Sequence, residues 1–184
     1  MSSALAKEIR RKAVHAVGVL TPIVFEIFGK QPLISGVLVC LCFSSFFEFS
    51  RLRRGKPVFY SELLRSYEED RLAGYVFFLM GILVCVALFE SDVAMAAVLM
   101  LAAGDGVSGV IKALTMRKLA TFSMFIVSAV VGCIYVPPFV STLGALGATV
   151  AGSLPLRSKY LDDNLMIPLS SAILMQLGLS QTGC

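Results

Sequence analysis

The chain has 184 residues, of which 57% are hydrophobic and 15% are charged. An ordinary soluble domain carries about a quarter charged residues, so this composition excludes a soluble globular enzyme. The mean hydropathy of +0.84 also excludes intrinsic disorder, which requires low hydrophobicity. We therefore predict an all-α integral membrane protein. Because one spanning helix takes about 20 residues, we expect residues 1–184 to form a single transmembrane domain.

Charge and reactive residue types narrow the possible functions. The net charge of +4 is small and dispersed, which argues against a nucleic-acid partner. A single histidine excludes a histidine-cluster metal site within one subunit, and none of the five cysteines forms a CxxC pair. We therefore interpret the cysteines in the apolar runs as small buried hydrophobic residues.

Apolar runs, taken in chain order, predict about seven spanning helices. Their approximate bounds are 13–28, 32–50, 73–90, 93–112, 119–136, 138–154 and 164–180. Glycine and proline at 29–32 and at 137–138 predict tight connections after the first and fifth runs. The polar stretch 51–72 predicts a short amphipathic cytosolic helix, with Glu62, Arg65 and Glu69 on one face. A solvated connector is an equally good interpretation of that stretch.

The distribution of Lys and Arg predicts the orientation. Basic residues fill the N-terminus and the loops after the second, fourth and sixth runs, whereas the alternate loops hold only Lys30 or no base. Cytoplasmic loops retain Lys and Arg, so we expect a cytosolic N-terminus and, with seven spans, a C-terminus on the opposite side.

Ionisable residues inside apolar segments are the candidates for chemistry, since they are costly in a membrane. With the predicted orientation, four segments bring such groups to the cytosolic face. The groups are Arg11, Lys12 and His15; Glu48 and Arg51; Asp105 and Lys112; and Asp163 and Asn164. Structural alternatives remain for three of these sets: a histidine bonded to a carbonyl, an intrahelical ion pair, and a helix cap.

Asp105 is the strongest single candidate. Gly104 and Gly106 flank it within an apolar segment, and Ser108 and Lys112 follow on the same helical face. A carboxylate between two glycines is unfavourable both for a helix and for a membrane, which is typical of a functional position. Bases and carboxylates gathered at one face suit a polyphosphate with Mg²⁺.

The chain resembles the CTP-dependent isoprenoid-alcohol kinases, which include the dolichol and phytol kinases. The resemblance covers most of the chain and rests on five motifs: ExxRKxxHxxG (Glu8–Gly18), ExxR (Glu48–Arg51), LLRxxEExxLxG (Leu63–Gly74), GDGxSG (Gly104–Gly109) and DDNLxIPL (Asp162–Leu169). The family usually carries a Lys-Thr-x-Glu-Gly-Ser stretch after GDG. Here the nearest match, Lys118–Ser123, keeps only the lysine and the serine.

The resemblance implies transfer of the γ-phosphate of CTP to a membrane isoprenoid alcohol at the cytosolic face. Asp105 would act with Mg²⁺ or orient the hydroxyl, and His15 is a candidate base. The other implied metal ligands are Asp163 and Glu48. The implied nucleotide or phosphate contacts are Arg11, Lys12, Arg51, Gly104, Gly106, Ser108, Lys112, Lys118 and Asn164. Two alternatives stay open: cytidylyl transfer that makes a CDP-lipid, and a non-catalytic membrane subunit or transporter. The sequence does not indicate an oligomeric state.

Overall fold

The computed structural model describes residues 3–54, 64, 68–114, 116–154 and 162–182, and the secondary structure in these ranges is helical. The helices are α1 (Ser3–Ala16), α2 (Leu20–Phe28), α3 (Lys30–Arg54), α4 (Gly74–Leu88), α5 (Ser91–Leu99), α6 (Gly106–Ala113), α7 (Arg117–Gly132), α8 (Pro138–Ser153) and α9 (Asp163–Thr182). A 3₁₀ turn at Val17–Val19 separates α1 from α2, and a π-helical turn at Met100–Asp105 joins α5 to α6. The predicted all-α class is confirmed for these residues.

Local sequence explains several helix ends. Gly29 ends α2 with φ of 81°, a left-handed conformation that favours glycine, and α3 begins at the next residue. Pro138 occupies the first turn of α8, where its missing N–H has no cost. Asp162 precedes α9, and its Oδ1 accepts the Asn164 backbone N–H at 3.0 Å. Both predicted tight connections are therefore present.

Helix α5 forms the centre of the core. Its residues from Val93 to Val98 have no solvent-accessible surface, and three of the six are alanines, which lets neighbouring helices approach closely. Helices α4, α7 and α9 pack against α5, while α8 packs against α7 and α9. Helix α1 packs on α6, and α3 lies at the edge against α2 and α4.

Within the described residues, two helical stretches are long and apolar enough to cross a membrane, so the predicted count of seven spans is not supported. They are Lys30–Arg53, of which 11% is buried, and Ser91–Ala113, of which 67% is buried. The first predicted run is divided by the 3₁₀ turn. Helices α4, α7 and α8 have 15, 16 and 16 residues, or about 22–24 Å at 1.5 Å per residue, against roughly 30 Å of hydrocarbon. Hydropathy alone did not reveal these short lengths.

Most of the predicted amphipathic helix at 51–72, including Glu62 and Arg65, lies outside the described residues; of the rest, 51–54 continue α3 and 68–71 form a turn. The prediction that the cysteines in the apolar runs are buried is wrong for three of the four. Cys85 is buried, but Cys40, Cys42 and Cys133 are exposed because α3 and α7 present apolar faces outward.

Candidate functional site

A buried ion pair between α1 and the π-helical turn that precedes α6 forms the first part of the candidate site. Lys12 Nζ contacts Oδ2 of Asp105, and the two residues are only 5% and 8% exposed. Gly109 makes the approach possible, because a Cβ at that position would overlap the side chain of Lys12. Both charges are buried together. Removing either one would leave the other buried and unpaired, which is strongly destabilising.

The π-helical turn Met100–Asp105 presents Asp105 to α1. A π turn spaces its hydrogen bonds by one extra residue and occurs frequently at functional sites. Gly104 within this turn lies against α7, where a Cβ would overlap the hydroxyl of Ser128. The two glycines of the GDG motif therefore differ: Gly104 permits close helix packing, whereas Gly106 has open space where its Cβ would be.

His15 connects α1 to α9 through a chain of hydrogen bonds. Its Nδ1 lies 3.0 Å from the carbonyl of Arg11, and its Nε2 lies 2.6 Å from Oδ1 of Asn164. The Asn164 amide nitrogen donates to Asp162 Oδ1 at 2.6 Å and to the carbonyl of Gly74 at 3.3 Å. Both ring nitrogens therefore face oxygen acceptors, so both can donate only when the ring is protonated. A neutral ring with its proton on Nδ1 would require the amide of Asn164 to reverse, whereas a proton on Nε2 would keep the bond to Asn164 and lose the one to Arg11.

Glu48 and Arg51 form a separate buried cluster with the chain that enters α4. The guanidinium of Arg51 donates to the Glu48 carboxylate, at 2.7 Å for the shortest contact, and to the carbonyls of Glu68, Glu69 and Arg71. Glu48 also accepts from the N–H of Ala73 at 3.2 Å and from the hydroxyl of Tyr75 at 2.8 Å. These contacts favour a structural role for both residues. The predicted phosphate contact of Arg51 and metal ligation by Glu48 remain predictions.

Gly74 links the two networks, and the sequence analysis did not identify it as a site residue. Its N–H donates to Glu68 Oε1 at 2.9 Å, and its carbonyl accepts from Asn164. A Cβ at this position would lie 2.8 Å from Asn164 Nδ2 and 3.1 Å from Glu68 Oε1. The final glycine of LLRxxEExxLxG was the available signal for this position.

A cavity of about 60 Å³ lies between α1 and the start of α4. Its lining includes Arg11, Val14, His15, Leu64, Glu68 and Tyr75. Arg11 donates to Glu8 at 2.9 Å and is 7% exposed, and Glu68 is 2% exposed. Glu68 belongs to the LLRxxEExxLxG motif, but its sequence context predicted no role for it.

The remaining predicted residues are less closely associated. Ser108 is half-buried on α6, and Asp163 is half-buried at the first position of α9. Lys112, at the end of α6, and Lys118, near the start of α7, are exposed. The structure thus brings together Lys12 with Asp105 and His15 with Asn164, while Lys112 and Lys118 stay at the surface.

The implied Mg²⁺ is compatible with part of this donor set. Within the described ranges, no three side chains of the His, Cys, Asp and Glu types form a group that could hold a metal ion. Mg²⁺ nevertheless often takes only one or two carboxylates, together with substrate phosphates and water. Asp105, beside the counter-charge of Lys12, fits this mode, whereas Glu48 is already surrounded by donors.

Comparison with known proteins finds no matching family model, no matching curated protein and no matching solved structure.

Proposed function

We propose that this protein is a membrane-embedded phosphotransferase that moves the terminal phosphate of CTP to an isoprenoid alcohol. The observation that carries the proposal is the buried pair of Lys12 and Asp105 beside Arg11, at the π-helical turn. Phosphoryl transfer depends on positioning and charge neutralisation more than on a protein nucleophile. These residues offer two cations and a carboxylate in a site with little water. CTP as the donor and the isoprenoid chain of the acceptor come from the sequence resemblance.

The proposed roles follow from the contacts. Lys12 and Arg11 neutralise phosphate oxygens, and Lys112 and Lys118 attract the nucleotide from the surface. Asp105 would hold Mg²⁺ together with the phosphates, and the ion would supply further neutralisation of the developing charge. His15 holds a proton at Nδ1 or at both ring nitrogens, and Asn164 fixes its orientation. The reaction releases CDP and one proton, and the alcohol oxygen forms the new bond to phosphorus.

We also propose that the site faces the cytosol. Arg10 to Lys12 flank it on α1, Arg51 to Arg54 end α3, and Lys112 ends α6, so bases accumulate at this end. At the other ends of the two apolar stretches lie Lys30, Glu90 and Asp92. The excess of Lys and Arg on one side supports a cytosolic location for that side.

The decisive experiment is transfer of label from γ-labelled CTP by the purified protein. We expect labelled lipid monophosphate with Mg²⁺ and long-chain polyprenols, and a loss of several orders of magnitude in Asp105→Asn. The matched control is Asp92→Asn, an exposed aspartate at the opposite end of Ser91–Ala113, which should keep parental turnover. Folded Asp105→Asn with a tenth of the parental rate would contradict the catalytic assignment.

A second candidate is a non-catalytic membrane subunit. It is favoured by one observation, that Lys12 with Asp105 and His15 with Asn164 already satisfy one another. Folded protein that neither transfers label nor binds CTP would support this candidate. Label that moves from α-labelled but not from γ-labelled CTP into lipid would instead indicate cytidylyl transfer.

A further inference from the structure

The segment 112–122 exposes bases and large apolar side chains together. Its three bases, Lys112, Arg117 and Lys118, are all exposed. Among its described residues, four large apolar side chains are also exposed: Leu114 at 51%, Met116 at 54%, Leu119 at 48% and Phe122 at 62%. The segment contains no Asp or Glu. A continuous apolar surface of this kind, with bases among it, is typical of a contact with a partner or a membrane.

This segment follows directly on the end of an apolar stretch that is long enough to cross a membrane. That stretch, Ser91–Ala113, ends with α6, and α7 begins at Arg117. Helix α6 has eight residues, or about 12 Å at 1.5 Å per residue, so the segment is separated from Asp105 by that length. The end of a membrane-crossing helix lies at the level of the lipid headgroups.

The beginning of α1 adds bases towards the same end of the molecule. Gly18 lies against Ala102, whereas Gly109 lies against Lys12, which comes earlier on α1. The two helices are therefore antiparallel, and the beginning of α1 lies towards the end of α6. Two further bases occupy that part of α1: Lys7 and Arg10.

The two ends of the molecule differ in charge, and this difference favours an anionic partner at the basic end. At the other ends of the two apolar stretches lie the exposed acids Glu90 and Asp92 and the base Lys30. The negative surface of a membrane attracts clustered Lys and Arg. A surface that only attracted a soluble nucleotide would remain in water, where exposed apolar side chains gain no burial. Side chains such as Leu114 and Met116 gain burial when they enter the acyl layer.

We infer that the segment 112–122, together with the bases at the beginning of α1, binds the phosphate groups of anionic phospholipids. The apolar side chains of the segment enter the acyl layer beneath those headgroups. The inference rests on the membrane location proposed above, and it does not depend on phosphate transfer. Attraction of a nucleotide by Lys112 and Lys118 requires only their long-range field, so both effects are compatible.

Photolabelling in lipid nanodiscs tests this inference. The probes are phosphatidylglycerol and phosphatidylcholine with the same chains and the same diazirine near the headgroup, each added in trace amount to phosphatidylcholine discs. We expect phosphatidylglycerol to label 112–122 at least about tenfold more, since each base near the surface favours anionic lipid by about fivefold. High salt should reduce this difference. Equal labelling by the two probes at low salt would overturn the inference. Displacement of the label by CTP would also overturn it, because the segment would then be a nucleotide-binding surface.

Arg117→Gln tests the contribution of charge at an exposed position that has no assigned part in phosphate transfer. We expect the preference for phosphatidylglycerol at 112–122 to fall by about fivefold. The KM for CTP in phosphatidylcholine discs should stay unchanged. Lys30→Gln is the matched control, since it removes a base at the opposite end of the molecule and should keep the parental preference. A parental preference in Arg117→Gln would overturn the inference.

Met116→Gln tests the contribution of the apolar side chains. We expect weaker labelling of 112–122 by both probes, because a polar side chain no longer favours the acyl layer. Leu88→Gln is the matched control, since Leu88 is 75% exposed at the end of α4, close to Glu90, and the labelling of 112–122 should persist. Parental labelling of 112–122 by both probes in Met116→Gln would overturn insertion of the segment.

The inference and the proposed function fail in different ways. Selective labelling at 112–122 without phosphate transfer from CTP would remove the kinase proposal and leave the lipid-binding surface in place. Phosphate transfer with equal labelling by the two probes would remove the lipid-binding surface and leave the kinase. Labelling of the protein by neither probe would remove the membrane location on which the inference rests.

Discussion

Lys12 and Asp105 show how two residues that are individually unfavourable in an apolar core stabilise one another. Each charge alone would carry a desolvation cost of several kcal/mol, and their contact offsets much of it. The pair occupies the space that Gly109 leaves open, so its geometry depends on α1 packing closely against α6. The same pairing holds a carboxylate in a largely buried position.

A double-mutant cycle on this pair should show strong coupling. We expect Lys12→Met alone to reduce the free energy of unfolding by about 3–5 kcal/mol, because Asp105 is left buried and unpaired. The double variant Lys12→Met/Asp105→Asn should recover a large part of that loss. Equilibrium unfolding in detergent micelles measures the four proteins, and strictly additive single effects would contradict the coupling.

Gly74 should tolerate substitution poorly. Gly74→Ala introduces a methyl group 2.8 Å from Asn164 Nδ2 and 3.1 Å from Glu68 Oε1, so we expect a loss of about 1–3 kcal/mol in stability. Gly36→Ala on α3 is the matched control. Its added Cβ meets nothing within 4 Å, and alanine favours a helix, so that variant should be neutral or more stable by up to about 1 kcal/mol. Thermal unfolding compares the two variants.

Arg51 acts at the scale of whole elements, because one guanidinium joins the end of α3 to the turn that leads into α4. It contacts the carbonyls of Glu68, Glu69 and Arg71 as well as the carboxylate of Glu48. Lysine has one ammonium group and cannot reproduce this planar set of contacts. The segment 68–73 also places Glu68 in the lining of the cavity, so the α3–α4 connection determines one wall of that cavity.

Arg51→Lys should therefore loosen this turn. We expect hydrogen–deuterium exchange at 68–74 to increase by about tenfold or more, corresponding to roughly 1.4 kcal/mol of lost local stability. Arg53→Lys is the control, since Arg53 is exposed and stacks on Phe49, one turn back along α3. Unchanged exchange in Arg51→Lys would contradict the structural role of Arg51 and would favour its predicted contact with phosphate.

At the scale of the whole molecule, bases and the candidate site share one end of the bundle. Single cysteines at Asp92 and Met116, in a cysteine-free background, test the orientation from both ends of Ser91–Ala113. Both positions are exposed. A membrane-impermeant thiol reagent should label Asp92→Cys from outside intact cells, and Met116→Cys only after the membrane is opened. The reverse result would place the site on the outer face.

The sequence predicted the helical class, both tight connections and the group of unusual polar residues. Asp105 was recognisable because charges are rare in apolar runs, and the distribution of bases suggested that Asp105 shares one face with Lys12, which precedes the first run. The sequence did not predict that Lys12, rather than Lys112, meets Asp105, since that choice depends on α1 packing over Gly109. It also did not predict the role of Gly74 or the cavity, because both depend on how α1, α4 and α9 pack together. Hydropathy windows predicted seven spans, a count that the described helices do not support, because such windows do not register a 3₁₀ turn or a short helix.

The π-helical turn Met100–Asp105 makes the chain one residue longer than a regular helix along the same path. In evolutionary terms it behaves as a single-residue insertion between two otherwise regular helices. If all six residues of this turn became regular α-helix, with none removed, α6 would turn by about 100° relative to α5. The buried face of α5 and the contact of Asp105 with Lys12 could then no longer be satisfied at the same time. The number of residues in this turn, and not only the identity of residue 105, therefore determines which faces of α5 and α6 point into the core.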